Sequence, residues 1–389
     1  MSRYYSYISS ASEIVKAYKG EQPFVHFIKK HFAAHKKFGS KDRKIISGLC
    51  YSYFRIFHAF KGEDTQEKIV KGVFLCESKS NVLLSELHPE LNNNIEMGIE
   101  EKCRFLNLDP LAVFPFSVHL GEEIDRENFG LSFLLQPLLF LRLRPGKKRS
   151  VLEKLKAASI KFDYLSDDCI ALQNATSLQN ILRVNKEAVV QDFNSQQVFN
   201  YPENIALLSS KQQKLTVWDC CAASGGKSIL LYDRMAGNIE LTVSDIRKNI
   251  LHNLQERLQE AVVPVYKTFA TDLLVAIPEM EQDKFDIIIC DVPCTGSGTW
   301  SRTPEQAAFF KTASIAEYAL GQQKIAGNAA RLLKKKGLFF YITCSVFKKE
   351  NESIVQILQE QHSLVLLQQQ YLKGYEMQAD TLFVAVLQR

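Results

Sequence analysis

Apolar residues follow one period in the first third of the chain and another in the last, and the change divides the molecule. From Ala11 to about Phe129 they recur every three or four positions, as in IISGLCYSYFRIF, with few alternating β-branched runs, which predicts an all-helical region. Ser40, ahead of KDRKIISGL and behind Gly39, reads as a helix cap. Pro115 and the neighbourhood of Gly130 mark the exit. PLLFLRLRP then predicts a strand, KKRSVLEKLKAA a helix, and DYLSDDCIALQ and EAVVQD two short extended runs, together a small α+β unit over 136–205. From about Ile205, near-continuous apolar runs alternate with helical ones: LTVWD with KSILLYDRM, ELTVSD with RKNILHNLQERLQ, FDIIICD with a long helix through Ala330, and GLFFYITCS with NESIVQILQEQ. That alternation predicts a parallel sheet covered on both faces, a Rossmann-like α/β domain. TLFVAVL reads as an added edge strand. The expected organisation is a helical domain over 1–130, the α+β domain over 136–205 and the α/β domain over 206–389.

Composition narrows this picture only in part. A chain of 389 residues suits two or three domains, and 46% apolar with 23% charged residues is ordinary for a globular protein. No run approaches the roughly 20 apolar residues of a membrane span. The N-terminal stretch MSRYYSYISSASEIVKAYKG lacks an apolar core with a small-residue cleavage site. A cytoplasmic protein is expected. Nine scattered cysteines, without the paired short spacings of a zinc site, read as reduced thiols and not as metal ligands. Charge changes the picture more. Residues 1–60 carry eleven Lys and Arg against three Asp and Glu, interleaved with aromatic residues and His as in FIKKHFAAHKKFGSKDRK. This is the footprint of a surface for a phosphate backbone, or equally a solvated helix face.

Candidate chemistry concentrates in the last domain. VWDCCAASGGKS ends like a phosphate-binding P-loop, but that pattern needs glycine six positions before the lysine, and Cys221 stands there before Lys227. What remains is a small-residue turn, Ala222, Ala223, Ser224, Gly225 and Gly226, at the carboxyl end of a strand, where open α/β sheets bind ligands. Acids close or follow successive strands: Asp219, Asp245, Asp272 and Asp291. Asp245, about 20 residues beyond the glycine turn, is placed to accept ribose hydroxyls of an adenosine-containing cofactor; a strand-end Asp also serves as a helix cap. Cys294 in DVPCTGSG and Cys344 in YITCS follow strands at the same sheet edge. Cysteine is commonly inert packing, yet in this polar setting a nucleophile with an assisting thiol fits better than a redox pair, which usually has two intervening residues.

DCCAASGGKS, VSD, CDVPCTGSGTWSRTPE and YITCSVFKKENE, in this order, resemble the successive motifs of the RNA 5-methylcytosine methyltransferases of the RsmB/Nop family. LFLRLRP and AVVQDFNSQQV are similar to the RRM-like segments ahead of that family's catalytic domain, and FGSKDRKIISGLCYSYFR resembles the NusB-like helical domain of its ribosomal RNA members. Three features depart from the pattern: Ser224 replaces a usual proline, Arg144 a common asparagine, and the last strand lacks a Gly-Asp-Gly approach. The resemblance implies S-adenosylmethionine as methyl donor, held by Cys221 through Lys227, Asp245, Asp272 and Asp291, with Lys227 and Asp291 also counted in the catalytic set. It implies that Cys344 adds to carbon 6 of cytosine, that Cys294 assists release, and that Asp291 hydrogen-bonds the base. Covalent addition is needed because carbon 5 alone is too weak a nucleophile. The expected partner is ribosomal RNA, exposed or flipped for reaction, with no DNA or membrane partner and a monomeric protein. The alternatives are a transfer RNA substrate or an inactive RNA-binding assembly or antitermination factor; the intact Cys344, Cys294, Asp245, Asp291 and Lys227 speak against the latter.

Overall fold

The structure is a computed structural model that describes residues 3–200, 214–275 and 283–389. The expected domain boundary at 205–206 lies outside the described residues. The chain forms two compact units: residues up to 120 with 124–136 and 299–312, and residues 121–123 with 137–298 and 313–389.

The first unit is helical. Its longer helices are Arg3–Ala17, Phe24–Ala34, Ser40–Arg55 and Thr65–Cys76, with shorter ones continuing to Arg126–Ser132. The cap of the third helix differs from expectation: Gly39 is the N-cap and Ser40 the first helical residue, because the Asp42 carboxylate accepts from the Gly39 amide at 3.0 Å. Aromatic rings fill the core. Phe24 and Phe54 meet edge to face at 4.9 Å, and Tyr18 adds a third ring against both. The returning segment 299–312 belongs to the same core: Trp300 and Phe310 lie 4.7 Å apart, Phe310 meets Phe116 at 5.2 Å, and Phe309 meets Tyr18 at 5.2 Å. The Glu305 side chain accepts from the Phe24 amide at 3.3 Å. The sequence pattern places this segment within the α/β domain of 206–389 instead.

The second unit carries two sheets. The small one comprises β1 (Leu139–Leu143), β2 (Asp163–Tyr164), β3 (Cys169–Leu172) and β4 (Ala188–Val190) in the order β2-β3-β1-β4, all antiparallel. The helix Lys148–Ala157 buries Val151 and Leu155 against Leu141, Leu143 and Ile170. The large sheet comprises β5 (Leu215–Asp219), β6 (Ile239–Asp245), β7 (Lys267–Ala270), β8 (Phe285–Asp291), β9 (Leu333–Thr343), β10 (Val365–Leu372) and β11 (Leu382–Gln388), in the order β10-β11-β9-β8-β5-β6-β7. Strands β5 to β9 pair in parallel; β11 runs antiparallel to both β9 and β10. TLFVAVL is therefore an interior strand, and the edge is β10. Its Gln368, Gln369 and Gln370 interrupt any apolar run, so the pattern of the sequence hides it. Ile287, Ile288, Ile289 and Cys290 on β8 are fully buried, and a buried Ile contributes about 1.5–3 kcal/mol. Strand order reverses between β5 and β8, which opens a crevice at their carboxyl ends.

Candidate active site

The turn after β5 is the first element at that crevice. Ala223 and Gly225 have positive φ, 45° and 77°, and Gly225 starts the helix Gly226–Arg234. A Cβ on Gly225 would stand 2.4 Å from a Leu254 methyl carbon, so glycine is required there by packing as well as by backbone conformation. Ser224, at the position expected to depart from a usual proline, is exposed and accepts from Arg257 through its carbonyl at 3.0 Å and its hydroxyl at 2.9 Å, so a side chain holds the turn.

Asp219 ends β5 only 1% exposed. One of its oxygens accepts from the Ser228 hydroxyl at 2.6 Å; Oδ1 is buried without a partner among the described residues. Burial first, then the charges of Asp291 and Asp245, push this carboxyl up to about 7. Asp245 ends β6, 5% exposed, and accepts from the amides of Ala223 at 3.1 Å and Arg247 at 2.9 Å. The Arg247 guanidinium also clasps it, at 2.9 and 3.1 Å. Burial opposes the charge on Asp245, but these hydrogen bonds outweigh it and hold the carboxyl below its ordinary value. Asp272, beyond β7, caps the Leu274 amide at 2.9 Å. The sulfur of Cys221 is pushed well up by its hydrogen bond with Cys220 and by burial.

Lys227, in the first turn of the helix Gly226–Arg234, reaches Asp291 at the end of β8, with Nζ 2.5 Å from Oδ2. Burial works against the ammonium, yet the charge and hydrogen bond of Asp291, with the charge of Cys344, raise its pKa, so Lys227 is a fixed cation. Cys294 and Cys344, expected at neighbouring strand ends, are brought together with sulfurs 3.3 Å apart. The hydrogen bond with Cys344, followed by burial, pushes Cys294 well above the ordinary thiol value.

The sequence reading missed what holds the cysteine loops. Glu350, fully buried, accepts from the Thr295 amide at 2.9 Å and hydroxyl at 2.6 Å, the Ser345 hydroxyl at 2.5 Å and the Gln322 amide at 2.8 Å. It thereby ties the residue after Cys294 to the residue after Cys344. Gly298 adds a backbone link, donating to the Cys344 carbonyl at 2.8 Å and accepting from Thr381 at 2.9 Å; a Cβ there would lie 1.9 Å from the Thr381 oxygen. Arg144 is likewise explained. It forks onto Asp233 at 3.0 and 2.5 Å beside Arg142 at 2.6 Å, joining β1 to the helix that carries Lys227.

The donor set fits a nucleoside-bearing cofactor. Strand-end acids flank a turn of small residues, and Asp219 leaves a buried oxygen unused beneath it. Fold and donor set together are those of an S-adenosylmethionine-dependent methyltransferase domain. Residues 205–385 match the family described as 16S rRNA methyltransferase RsmB/F. The chain is 28% identical over 233 residues to the probable ribosomal RNA small subunit methyltransferase B of Bacillus subtilis, covering 59% of this chain and 51% of that protein. It is 32% identical over 170 residues to ribosomal RNA small subunit methyltransferase B of Sodalis glossinidius, covering 43% and 38%. The chain spans about half the length of the curated relatives it matches. A methyltransferase homolog protein from Pyrococcus horikoshii shares the fold with a TM-score of 0.57 at 19% identity, over 74% of this chain and 98% of that one. NSun6 from Pyrococcus horikoshii, solved with SFG, does so with a TM-score of 0.60 at 14% identity, over 70% and 96%.

Proposed function

We propose that this protein methylates carbon 5 of a cytosine in RNA through a covalent bond between Cys344 and the base, ribosomal RNA being the substrate to which the names of its relatives point. The observation that carries the reading is the pair of thiols 3.3 Å apart at the sheet edge that also bears the Lys227–Asp291 pair. Bound S-adenosylmethionine would supply an electrophilic methyl group, and Cys221 to Lys227, Asp245, Asp272 and Asp291 are the residues that would hold it. Cys344 forms the bond to carbon 6, which moves the ring electron pair toward carbon 5. Lys227 places a positive charge beside this sulfur and restrains Asp291, whose carboxylate hydrogen-bonds the ring. Once carbon 5 is methylated and has lost its proton to solvent, the bond to Cys344 breaks and its electrons return to sulfur. Cys294, its sulfur 3.3 Å from that of Cys344, is the thiol placed to donate a proton to that departing thiolate.

Trapping separates the two thiols. With substrate RNA and S-adenosylmethionine, Cys294→Ala should accumulate a protein–RNA species on a denaturing gel that ribonuclease removes. Cys344→Ala and the double variant should show none. An adduct in Cys344→Ala alone would reverse the roles, and methylation by both single variants without any adduct would end the covalent reading.

A further inference from the structure

The helical unit holds a cavity of about 730 Å³, within the roughly 300–1,000 Å³ of pockets that take small organic groups. Its floor is apolar, built from Leu49, Val73, Leu83 and Leu134. One face of the helix Ser40–Arg55 runs along it, with Lys41, Lys44, Gly48, Ser52 and Arg55 at three- and four-residue spacing. Arg3 contributes from the first helix, its guanidinium 5.3 Å from the Tyr4 ring centroid. The lining thus has four cations and one carboxylate, Glu77.

Three observations set this cavity apart from a packing defect. Arg55 is consumed structurally, donating to the carbonyls of Phe133 and Leu135 and to Gln136. Lys41 and Lys44 are not, and Arg3 donates only to the Tyr4 hydroxyl, at 3.4 Å; all three are exposed, and none is ion-paired among the described residues. Gly48 sits mid-helix, where glycine destabilises relative to alanine, and a Cβ on it would meet nothing within 4 Å. Gly72, by contrast, is needed for close helix packing, since its Cβ would stand 2.6 Å from the Ser52 carbonyl. No neighbour in the fold explains glycine at 48, while an occupant of the cavity does. The Tyr51 hydroxyl, half-buried at the wall, has no hydrogen-bond partner among the described residues.

We propose that this cavity takes one unstacked nucleotide of the RNA, with its base against the apolar floor and the Tyr51 hydroxyl, and its phosphate at Arg3, Lys41 and Lys44. The cations call for an anion, and the apolar depth calls for a planar, weakly hydrated group on the same ligand; a nucleotide has both. The inference rests on the reading that the protein acts on RNA.

The test uses the full chain and a fluorescein-labelled 12-nucleotide single-stranded RNA, read by anisotropy. Gly48→Leu should keep or raise the melting temperature while weakening RNA binding about tenfold, because the side chain occupies the cavity. An RNA lacking bases should bind wild type and Gly48→Leu alike. Lys41→Gln with Lys44→Gln should reduce the slope of log affinity against log salt by about 1.4, at about 0.7 for each lost contact to a single strand. The lysine pair and the abasic RNA decide the matter if Gly48→Leu does not fold. Excess AMP or CMP should compete if free mononucleotides suffice, and failure to compete with the Gly48 effect intact assigns the cavity to RNA alone. Wild-type RNA binding with Gly48→Leu and the lysine pair unaffected would overturn the cavity proposal and leave the methylation reading standing. Absence of any RNA binding would overturn both. An apolar peptide that binds the cavity while RNA still binds with full affinity would assign it to a protein partner instead.

Discussion

Asp245 shows how a single side chain can serve two states. Both of its oxygens are already engaged, by the Ala223 amide and by Arg247, whose own side chain is 56% exposed and free to swing aside. Ribose hydroxyls would take the place of the guanidinium. Asp245→Ala removes charge-assisted hydrogen bonds of about 1.5–3 kcal/mol, so calorimetry should show S-adenosylmethionine affinity reduced about tenfold or more; unchanged binding would remove this residue from the donor site. Asp219 gives a pH signature. Its carboxyl titrates at 3.8 ordinarily and at about 7 when folded, so between those values only the folded chain holds the proton. Stability therefore falls as pH rises through that window and levels off above it. Asp219→Asn lacks the slope, and its advantage in urea midpoint over wild type should be larger at pH 7.5 than at pH 4.5. Equal differences at both pH values would mean that Asp219 is not the buried acid described. The positions of Asp219, Asp245, Asp291, Cys294 and Cys344 were readable because each ends or follows an apolar run. Their partners were not, since nothing in a sequence says that Arg247 folds back onto Asp245 or that Lys227 reaches Asp291, 64 positions away.

Among elements, the two cysteine loops depend on a residue from neither strand. Glu350 lies in a 3₁₀ turn and collects donors from the β8 loop, the β9 loop and the helix Ala313–Ala330. Glu350→Ala would remove the buried acceptor shared by the Thr295 amide and the Gln322 side chain, which would keep its bond to the Pro293 carbonyl, a loss of about 1–3 kcal/mol. Chemical denaturation should register that loss, and steady-state kinetics should show a reduced kcat with the KM for S-adenosylmethionine little changed. Unaltered kcat would show that the sulfur pair keeps its spacing without Glu350. The element pattern exposed most strands of the large sheet, because strands buried on both faces read as continuous apolar runs. It misplaced the edge, because β10 is only half-buried and mixes exposed Val365 and Leu367 with partly buried Gln369 and Gln370, so no period marks it. Glu350 stayed hidden for a related reason: in FKKEN it looks like part of a charged surface turn, and only the fold shows it fully buried.

At the scale of the whole molecule, the basic N-terminal region and the α/β unit are distinct bodies in sequence but not in chain path. Residues 1–60 carry the excess of cations, and no helix among the described residues is long and apolar enough to cross a membrane. A division at residue 136, natural from the sequence pattern, would deprive the helical core of Trp300, Phe309 and Phe310. A fragment of residues 1–136 should therefore melt at a lower temperature alone than with a synthetic peptide of residues 299–312 added in trans. Identical melting in both cases would show that the returning segment is dispensable to that core. The same path governs the order of assembly in time. Synthesis runs from the N-terminus and usually lets the leading unit fold first, but here the leading unit stays incomplete until the ribosome has passed residue 312. The strands β5, β6, β7 and β8 are made before that point, so the front of this protein can close only after much of the second unit has been synthesised.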